Sequence, residues 1–193
     1  MSGETYVEFK EALAASGCVR CGLSEYRTHI VVDRGNPMAK VLLVGEAPGK
    51  NEDLQAKAFV GRSGRLLDSM FKEIGFDTNR DALIVNVVKC RPPANRAPLP
   101  EEVEMCRPFL KKQIDLVRPR LIACLGATAL KHLFPEKKDL VMADQVGRPF
   151  RHTAYPGVDL MALYHPAYIL RDPRKKPLMG QHLQQLVDLW RTV

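Results

Sequence analysis

The chain is predicted to fold as a single-domain, three-layer α/β/α sandwich of class α/β, around a mainly parallel sheet of about four strands. Continuous apolar runs are typical of strands that are buried on both faces of a sheet. Segments with the apolar spacing of helices alternate with these runs, as in parallel sheets. No repeat, linker or shift in composition divides residues 1–193, and one hydrophobic core is usual at this length.

The strand and helix predictions follow from these patterns. The predicted strands cover residues 40–46, 82–89, 120–126 and 158–166. The predicted helices cover residues 5–15, 63–75, 100–117, 127–134 and 182–190. Ser63 and Gly75 suit the start and the end of the second helix, and Pro100 suits the first turn of the third. The Pro-rich segment 91–100 is expected to be an extended loop, and segment 135–157 is expected to form a hairpin.

Composition limits the class of protein. With 46% hydrophobic and 26% charged residues, the chain is expected to be globular. Its 29 Lys and Arg residues exceed its 22 Asp and Glu residues, for a net charge of +7, which suits a polyanionic partner without identifying one. No apolar run approaches the ~20 residues of a membrane helix, and the first residues do not resemble a signal peptide. We therefore expect a cytoplasmic protein with no membrane partner.

Five cysteines, an odd number, argue against a disulfide framework. The candidate metal ligands are Cys18, Cys21, Cys90 and Cys106. The first two form a C-x2-C knuckle at about residues 16–23, which belongs to the single domain. Four thiolates suit either a [4Fe–4S] cluster or zinc, and the spacing alone does not decide between them. Cys124 lies inside an apolar strand and is interpreted as a core thiol.

Polar motifs follow the predicted strands at their carboxyl ends. They are GEAPG (45–49), Asn86, LGATA (125–129) and YHPA (164–167). Ligand sites of parallel sheets lie outside the carboxyl ends of the strands, so these motifs are expected to meet in one site.

Four motifs together resemble the family 4 uracil-DNA glycosylases, which are iron–sulfur enzymes of many bacteria and archaea. The motifs are GEAPGKNED (45–53), AFVGRSG (58–64), NVVKCRPPANR (86–96) and HPAYILR (165–171). The resemblance extends from Cys18 to about Arg171. It implies a uracil-DNA glycosylase-like fold and a monofunctional hydrolase of base excision repair. Such an enzyme flips deoxyuridine out of DNA, releases uracil and leaves an abasic site. It also implies that the four candidate cysteines hold a structural [4Fe–4S] cluster.

The resemblance further implies a set of uracil contacts, namely Glu46, Ala47, Pro48, Phe59, Asn86 and His165. The amide of Asn86 offers an acceptor beside a donor, which complements O4 and N3–H of uracil and mismatches cytosine. An isolated asparagine at a strand end can instead simply cap a loop. His165 would donate a hydrogen bond to uracil O2 as negative charge develops on the base, although a lone histidine there is often just a satisfied polar residue. Phe59 would stack on the flipped base, and its alternative role is core filling.

Two catalytic residues are expected, Glu46 and His165. Glu46 occupies the position at which the family places an acid near the hydrolytic water. The neighbouring acids Glu52 and Asp53 could share its task. Gly49 is too small to block the 5-methyl group of thymine, so Glu52 is the candidate for that exclusion.

DNA contacts are expected from two groups of residues. The helix starts at Ser63–Gly64 and Ala127–Thr128 offer free backbone N–H groups to phosphates. In the segment after His165, the gap left by the flipped base would be filled by Ile169, Leu170 or Arg171. The sugar–phosphate backbone of the DNA would be contacted by Arg174, Lys175 and Lys176. A solvated turn is the alternative for this basic run. The expected partner is uracil-containing DNA, single- or double-stranded, bound by a monomer.

The sequence departs from the family pattern at two places, and two other functions are considered beside the enzyme. Residues 54–57 (LQAK) replace the family's more usual lead-in to AFVG, which affects the expected shape of that loop. The segment after Asn86 lacks the histidine-bearing basic insert of relatives that become covalently linked to DNA. We therefore expect catalytic turnover and not a covalent enzyme–DNA product. The rivals are a nucleic-acid-binding module, namely a catalytically weak relative that recognises uracil or damaged DNA, and a cluster-bearing structural or redox protein. The joint presence of Glu46, Asn86 and His165 favours the enzyme.

Overall fold

The computed structural model describes residues 3–134 and 141–192. The helices are α1 Tyr6–Ala15, α2 Lys50–Gln55, α3 Arg62–Glu73, α4 Pro100–Val117, α5 Ala127–Leu133, α6 Met142–Gln145, α7 Pro166–Arg171 and α8 Lys176–Trp190. The strands are β1 Arg34–Gly35, β2 Val41–Gly45, β3 Ala82–Asn86, β4 Leu121–Leu125, β5 Pro149–Phe150 and β6 Asp159–Leu163. The four predicted strands are therefore present, each shorter than predicted.

The described strands form one mixed sheet in the order β1-β3-β2-β4-β6-β5. Its four inner strands are parallel, as predicted, and β1 and β5 pair antiparallel at the two edges. The prediction of about four strands is thus corrected to six. Each edge strand has only two residues, which is too short to produce a recognisable alternation of apolar and polar residues.

Alternate residues of the inner strands face opposite layers of helices. Leu42, Val44, Leu83 and Val85 pack in a core with apolar residues of α1, α4 and α5. Val41, Leu43, Ala82 and Ile84 pack in a second core with residues of α3, α7 and α8. The three-layer arrangement follows, because every inner strand is covered on both faces. No described helix combines the length and the apolar composition that crossing a bilayer requires.

Several helix boundaries differ from the predictions. Helix α3 begins at Arg62 after Gly61, so Ser63 lies in its first turn and is not the N-cap. Helix α8 begins at Lys176, well before the predicted start. Helices α2 and α7 were not predicted, because each has only six residues. The segment predicted as a hairpin contains α6 and β5, and β5 pairs with β6; residues 135–140 of that segment lie outside the described residues.

A bidentate ion pair fixes edge strand β1 to helix α3. Arg34 donates from Nη1 and Nη2 to the two carboxylate oxygens of Asp68 at 2.8 and 2.7 Å. Thr78 Oγ1 donates to the same carboxylate at 2.6 Å. Because Arg34 is largely buried and the geometry is bidentate, this pair contributes more than an exposed pair does.

Asp68→Asn is expected to lower the free energy of unfolding by about 1.5–3 kcal/mol, because it breaks a charge-assisted bidentate contact. The control is Asp115→Asn, which removes the exposed pair with Lys111 on α4 and should cost no more than about 0.5 kcal/mol. Denaturant unfolding measures both. Equal losses for the two variants would contradict the importance of the Arg34–Asp68 pair.

Candidate active site

A cleft of about 620 Å³ opens at the carboxyl ends of the parallel strands. Its lining includes most of the predicted site residues, namely Glu46, Ala47, Pro48, Phe59, Ser63, Gly64, Asn86, Thr128, His165 and Arg171. They meet because β2, β3, β4 and β6 run in the same direction and end at the same edge. The structure therefore brings together the motifs that the sequence distributes over about 125 residues.

Asn86 ends strand β3 with its amide buried in the wall of this cleft. The residue is 1% exposed. Neither Oδ1 nor Nδ2 has a hydrogen-bond partner within the part of the chain that the structure describes. Buried polar groups in native proteins are nearly always hydrogen-bonded, and leaving one unpaired is destabilising. The amide therefore keeps its full capacity to donate and accept for a ligand in the cleft.

Gly45 allows an aromatic ring and this amide to approach each other closely. A Cβ atom at position 45 would lie 2.5 Å from Asn86 Oδ1 and 2.5 Å from the ring of Phe59. Phe59 has a positive φ of 55°, which is uncommon for a bulky residue and requires support from its surroundings. Its ring centroid is 5.8 Å from that of His165. The ring of Phe59, the amide of Asn86 and the imidazole of His165 therefore border the same part of the cleft.

His165 is held as a neutral hydrogen-bond donor. It is the N-cap of α7, and its Nδ1 accepts the backbone N–H of Ala167 at 3.1 Å. A neutral imidazole with an acceptor at Nδ1 carries its hydrogen on Nε2. Burial, reinforced by the nearby positive charge of Arg171, lowers the pKa of His165 to about 4, against the opposing effect of Glu52. The residue is therefore uncharged at neutral pH, and its Nε2–H is available to donate to a ligand in the cleft.

The three neighbouring acids have different environments. Glu46 is half-buried in the cleft, and its carboxylate makes no hydrogen bond to the described residues. Glu52 also lines the cleft, and its Oε1 accepts the backbone N–H of Gly61 at 2.6 Å. Asp53 is buried and accepts the backbone N–H groups of Thr28 and His29 at 2.8–3.1 Å. This placement argues against the prediction that Asp53 could share the task of Glu46, because Asp53 is not among the cleft-lining residues and its carboxylate holds this loop.

Helix α7 directs some side chains of the segment after His165 into the core and others into the cleft. Ala167 and Arg171, one helical turn apart, line the cleft. Ile169 is 2% exposed in the core, which argues against the prediction that it could fill the gap left by a flipped base. Leu170 is 36% exposed. The physical reason is the helical period, which turns every third or fourth side chain inward.

The predicted contacts of the basic run lie outside the cleft lining. Lys176 begins α8, and its Nζ is 3.9 Å from Glu73 Oε1. Arg174 Nε lies 2.7 Å from Asp172 Oδ1. Lys175 is half-buried in a short 3-10 turn before α8. Arg174 and Lys176 are exposed beside the start of α8, so a DNA contact and a solvated turn both remain compatible with this position.

Sequence reasoning missed several polar residues of the cleft. They are Lys50, Asn51, Arg62, Asn95 and Arg96. Each lies within one of the four motifs, so the sequence did contain a signal that could have identified them as cleft residues. Of the three cations, Arg96 is paired with Glu102 at 2.6 Å, and the basic rim is consistent with a polyanionic ligand.

The four cysteines that were predicted to bind metal line a second, small pocket together with Arg27 and Lys89. Lys89 donates its backbone N–H to Cys106 Sγ at 3.3 Å, and Arg27 Nη1 donates to Cys90 Sγ at 3.5 Å. Burial raises the pKa of Cys90 to about 11. Within residues 3–134 and 141–192, no three His, Cys, Asp or Glu side chains are grouped so as to hold a metal ion.

The shared pocket brings together the four thiols that either metal would need, and it does not choose between a cluster and zinc. Cys124 lies apart in the core at 1% exposure, and burial raises its pKa to about 12, as expected for a core thiol.

Comparison with known proteins identifies the family of this chain. The sequence pattern of the uracil DNA glycosylase superfamily matches residues 32–191. The type-4 uracil-DNA glycosylase of Archaeoglobus fulgidus is 39% identical over 175 residues, which are 89% of this chain and 87% of the relative. That of Thermotoga maritima is 41% identical over 155 residues, or 80% and 79% of the two chains. The type-5 enzyme of Thermus thermophilus is 32% identical over 152 residues, or 68% and 66%.

Fold, cleft and sequence together define a member of the uracil DNA glycosylase superfamily. Within that superfamily the chain belongs to the type-4 uracil-DNA glycosylases, the repair hydrolases that excise uracil from DNA. The resemblance drawn from the four motifs is thereby confirmed.

The protonation state of His165 can be measured directly. Multiple-bond 1H–15N NMR spectra are expected to show the Nε2–H tautomer with no titration between pH 8 and about pH 5.5, and protonation only as the pH falls through about 4. The unfolded chain takes up this proton near its ordinary pKa of about 6.5, so folding stability should decrease as the pH falls through that interval. His165→Gln identifies the resonance. A titration near pH 6.5 would contradict the buried, neutral donor.

Proposed function

We propose that this protein flips deoxyuridine out of DNA into the cleft, hydrolyses the N-glycosidic bond and leaves an abasic site. The observation that carries the proposal is the buried amide of Asn86, whose two polar atoms have no partner among the described residues. A purely structural asparagine would cap the loop with one of them. The amide instead borders a cleft with a ring and a hydrogen-bond donor beside it.

Asn86 reads the base in this proposal. Its carbonyl accepts from uracil N3–H while its NH2 group donates to O4. Cytosine has an acceptor at N3 and a donor at the fourth position, so both contacts would be repulsive and both buried groups would stay unpaired. Phe59 stacks on the base, because its ring borders the cleft beside the amide. The backbone of Ala47 and Pro48 closes the pocket on the strand β2 side.

His165 stabilises the leaving group. As the C1′–N1 bond breaks, its electron pair stays with the base, and negative charge spreads to O2. The Nε2–H of His165 donates to O2, and a neutral donor is already present at physiological pH. A donor that is fixed before the reaction stabilises this charge without reorganisation.

Glu46 acts on the sugar side. Its carboxylate orients a water molecule toward C1′ and stabilises the positive charge that develops there. The water oxygen forms the new bond to C1′, its proton passes to the carboxylate and then to solvent, and the uracil anion takes a proton from solvent. Glu52, held by the backbone of Gly61, excludes the 5-methyl group of thymine.

DNA is held around the flipped nucleotide by the cleft margin. Backbone N–H groups at Ser63, Gly64 and Thr128 bind phosphates, and Arg171 with Leu170 occupies the gap left in the base stack. Lys175 and Lys176 contact the sugar–phosphate backbone of the DNA farther from the flipped nucleotide. The proposed partner is uracil-containing DNA, single- or double-stranded, and action as a monomer stays a prediction.

We infer that Cys18, Cys21, Cys90 and Cys106 hold a [4Fe–4S] cluster. When bound, the cluster supplies iron–thiolate bonds that cross-link the N-terminal knuckle, the loop after β3 and helix α4. The shared pocket and the N–H donors to Cys90 and Cys106 support this assignment. Cys90 is four residues beyond Asn86, so these bonds restrain the strand end that reads the base.

The first prediction tests base reading. Asn86→Ala and Asn86→Asp are expected to reduce uracil excision by at least about 10-fold, because each removes part of the donor–acceptor pair. Asn86→Asp should gain weak cytosine excision when its carboxyl group is protonated. Excision is measured on a uracil-containing oligonucleotide by strand cleavage in alkali. Asn79→Ala, on an exposed turn outside the cleft, is the matched control.

Parental activity in both Asn86 variants would contradict the reading role. DNA binding by the parental chain without any excision would favour the rival binding module.

The second prediction separates chemistry from binding. His165→Ala should lower the saturated single-turnover rate by about 10²–10³-fold, because the missing donor acts mainly in the transition state. The double variant Lys175→Ala/Lys176→Ala should instead weaken DNA binding and flatten its salt dependence at an unchanged saturated rate. Single-turnover kinetics at two salt concentrations measure both. His165→Ala that loses only affinity would contradict the mechanism.

The third prediction concerns the metal. The purified protein is expected to be brown, with broad absorbance near about 400 nm, as iron–thiolate clusters show. Cys90→Ala should lose this colour and its iron, whereas the matched variant Cys124→Ala should keep both. Stoichiometric zinc in colourless protein purified without oxygen would contradict the cluster.

A further inference from the structure

Lys89 is a buried lysine placed three residues beyond the proposed base reader. It is 1% exposed and lies at the junction of β3 with the cysteine-bearing loop. Its Nζ donates to the backbone carbonyl of Asn86 at 2.5 Å and to Oε1 of Gln113 at 2.6 Å. Lys89 also lines the cysteine pocket, but the two hydrogen bonds of its ammonium group go to the Asn86 carbonyl and to Gln113 and not to a sulfur atom.

A chain of buried polar groups holds the ammonium in place. Gln113, on α4, donates from Nε2 to the backbone carbonyl of Val32 at 3.0 Å and to the hydroxyl of Tyr6 at 3.1 Å. Tyr6 donates in turn to Asp33 at 2.8 Å. These contacts connect α1, the segment before β1 and α4 to a single backbone carbonyl at the end of β3.

The cost of this arrangement is substantial. A buried ammonium loses its hydration, and an apolar side chain of similar shape would avoid that penalty. The side-chain amide of Asn86 has no partner among the described residues, so its direction depends on the backbone that carries it. The carbonyl that Lys89 binds belongs to the same residue, and it fixes the peptide plane after Cα. The N–H of Val87, on the same peptide unit, donates to the carbonyl of Gly45, so Lys89 restrains this plane from its other side.

We propose that Lys89 is a positioning residue for base recognition: its ammonium group fixes the backbone of Asn86 and thereby aims the amide at uracil. This inference rests on the proposed reading role of Asn86. It assigns Lys89 an effect on the rate of excision that passes entirely through Asn86.

The test is a double-mutant cycle in the full-length chain. Lys89→Met removes the ammonium and keeps the length of the side chain. It is expected to lower the saturated single-turnover rate on a uracil oligonucleotide by about 10²-fold, the scale of a small misplacement of a catalytic group, while DNA affinity stays unchanged. In an Asn86→Ala background the same substitution should have little further effect, because the amide that it aims is absent. Tyr6→Phe is the control, since it disrupts the outer network and leaves both contacts of Lys89 intact.

Three outcomes would overturn the proposal. They are full additivity of Lys89→Met with Asn86→Ala, an equal loss of rate in Tyr6→Phe, and a parental rate in Lys89→Met. If Lys89→Met does not fold, Lys89→Met/Gln113→Leu removes the ammonium together with its side-chain acceptor, so that Gln113 Oε1 is not left unpaired. The same cycle is then run with this variant, and additivity or a parental rate again overturns the proposal. Failure of the proposed function is distinguishable, because Asn86→Ala alone would then keep the parental rate.

Discussion

Strands β2 and β3 pair in parallel with Gly45 opposite Asn86. The pairing continues beyond both strands, because Val87 and Val88 donate to the carbonyls of Gly45 and Glu46 at 2.9 and 3.2 Å. The proposed base reader and the proposed sugar-side acid therefore leave neighbouring strands at the same level. A shift of register by one residue would turn the Asn86 side chain to the opposite face of the sheet. Every proposed function of the cleft depends on this register.

Three polar groups in and beside the cleft carry a cost in stability. Asn86 keeps an unpaired amide, His165 is held neutral by burial, and Lys89 holds a charge inside the core. Such features are destabilising in isolation. The two apolar cores, one on each face of the sheet, stabilise a fold that tolerates these destabilising polar groups. Their concentration at one edge of the sheet is typical of a functional site and not of a packing defect.

The sequence was sufficient for the parts of the fold that depend on long patterns. Continuous apolar runs located the four parallel strands, and their ends located Glu46, Asn86 and His165 at one edge. Short elements were not predictable, because two-residue edge strands and six-residue helices contain too few residues for a period. Helix α7 shows the consequence, since its turn buries Ile169, which the sequence suggested as a DNA contact.

Long-range polar contacts were also beyond the sequence. Asp53 resembles a catalytic acid in the motif GEAPGKNED, but in the structure it holds the backbone of Thr28 and His29. Lys89 resembles any basic residue of a loop until Gln113, 24 residues away, is seen beside it. Such roles depend on partners that no local pattern identifies. Only folding brings these partners together.

The central claim is that the amide of Asn86 recognises uracil through its N3–H and O4. Inhibition of excision by free bases tests this claim most directly, because it isolates recognition from DNA binding and from bond cleavage. We expect uracil to inhibit at least about 10-fold more strongly than 3-methyluracil or cytosine, since each of these lacks the N3–H that pairs with the amide carbonyl. Asn86→Ala should remove the difference. Equal inhibition of the parental protein by uracil and 3-methyluracil would contradict the account.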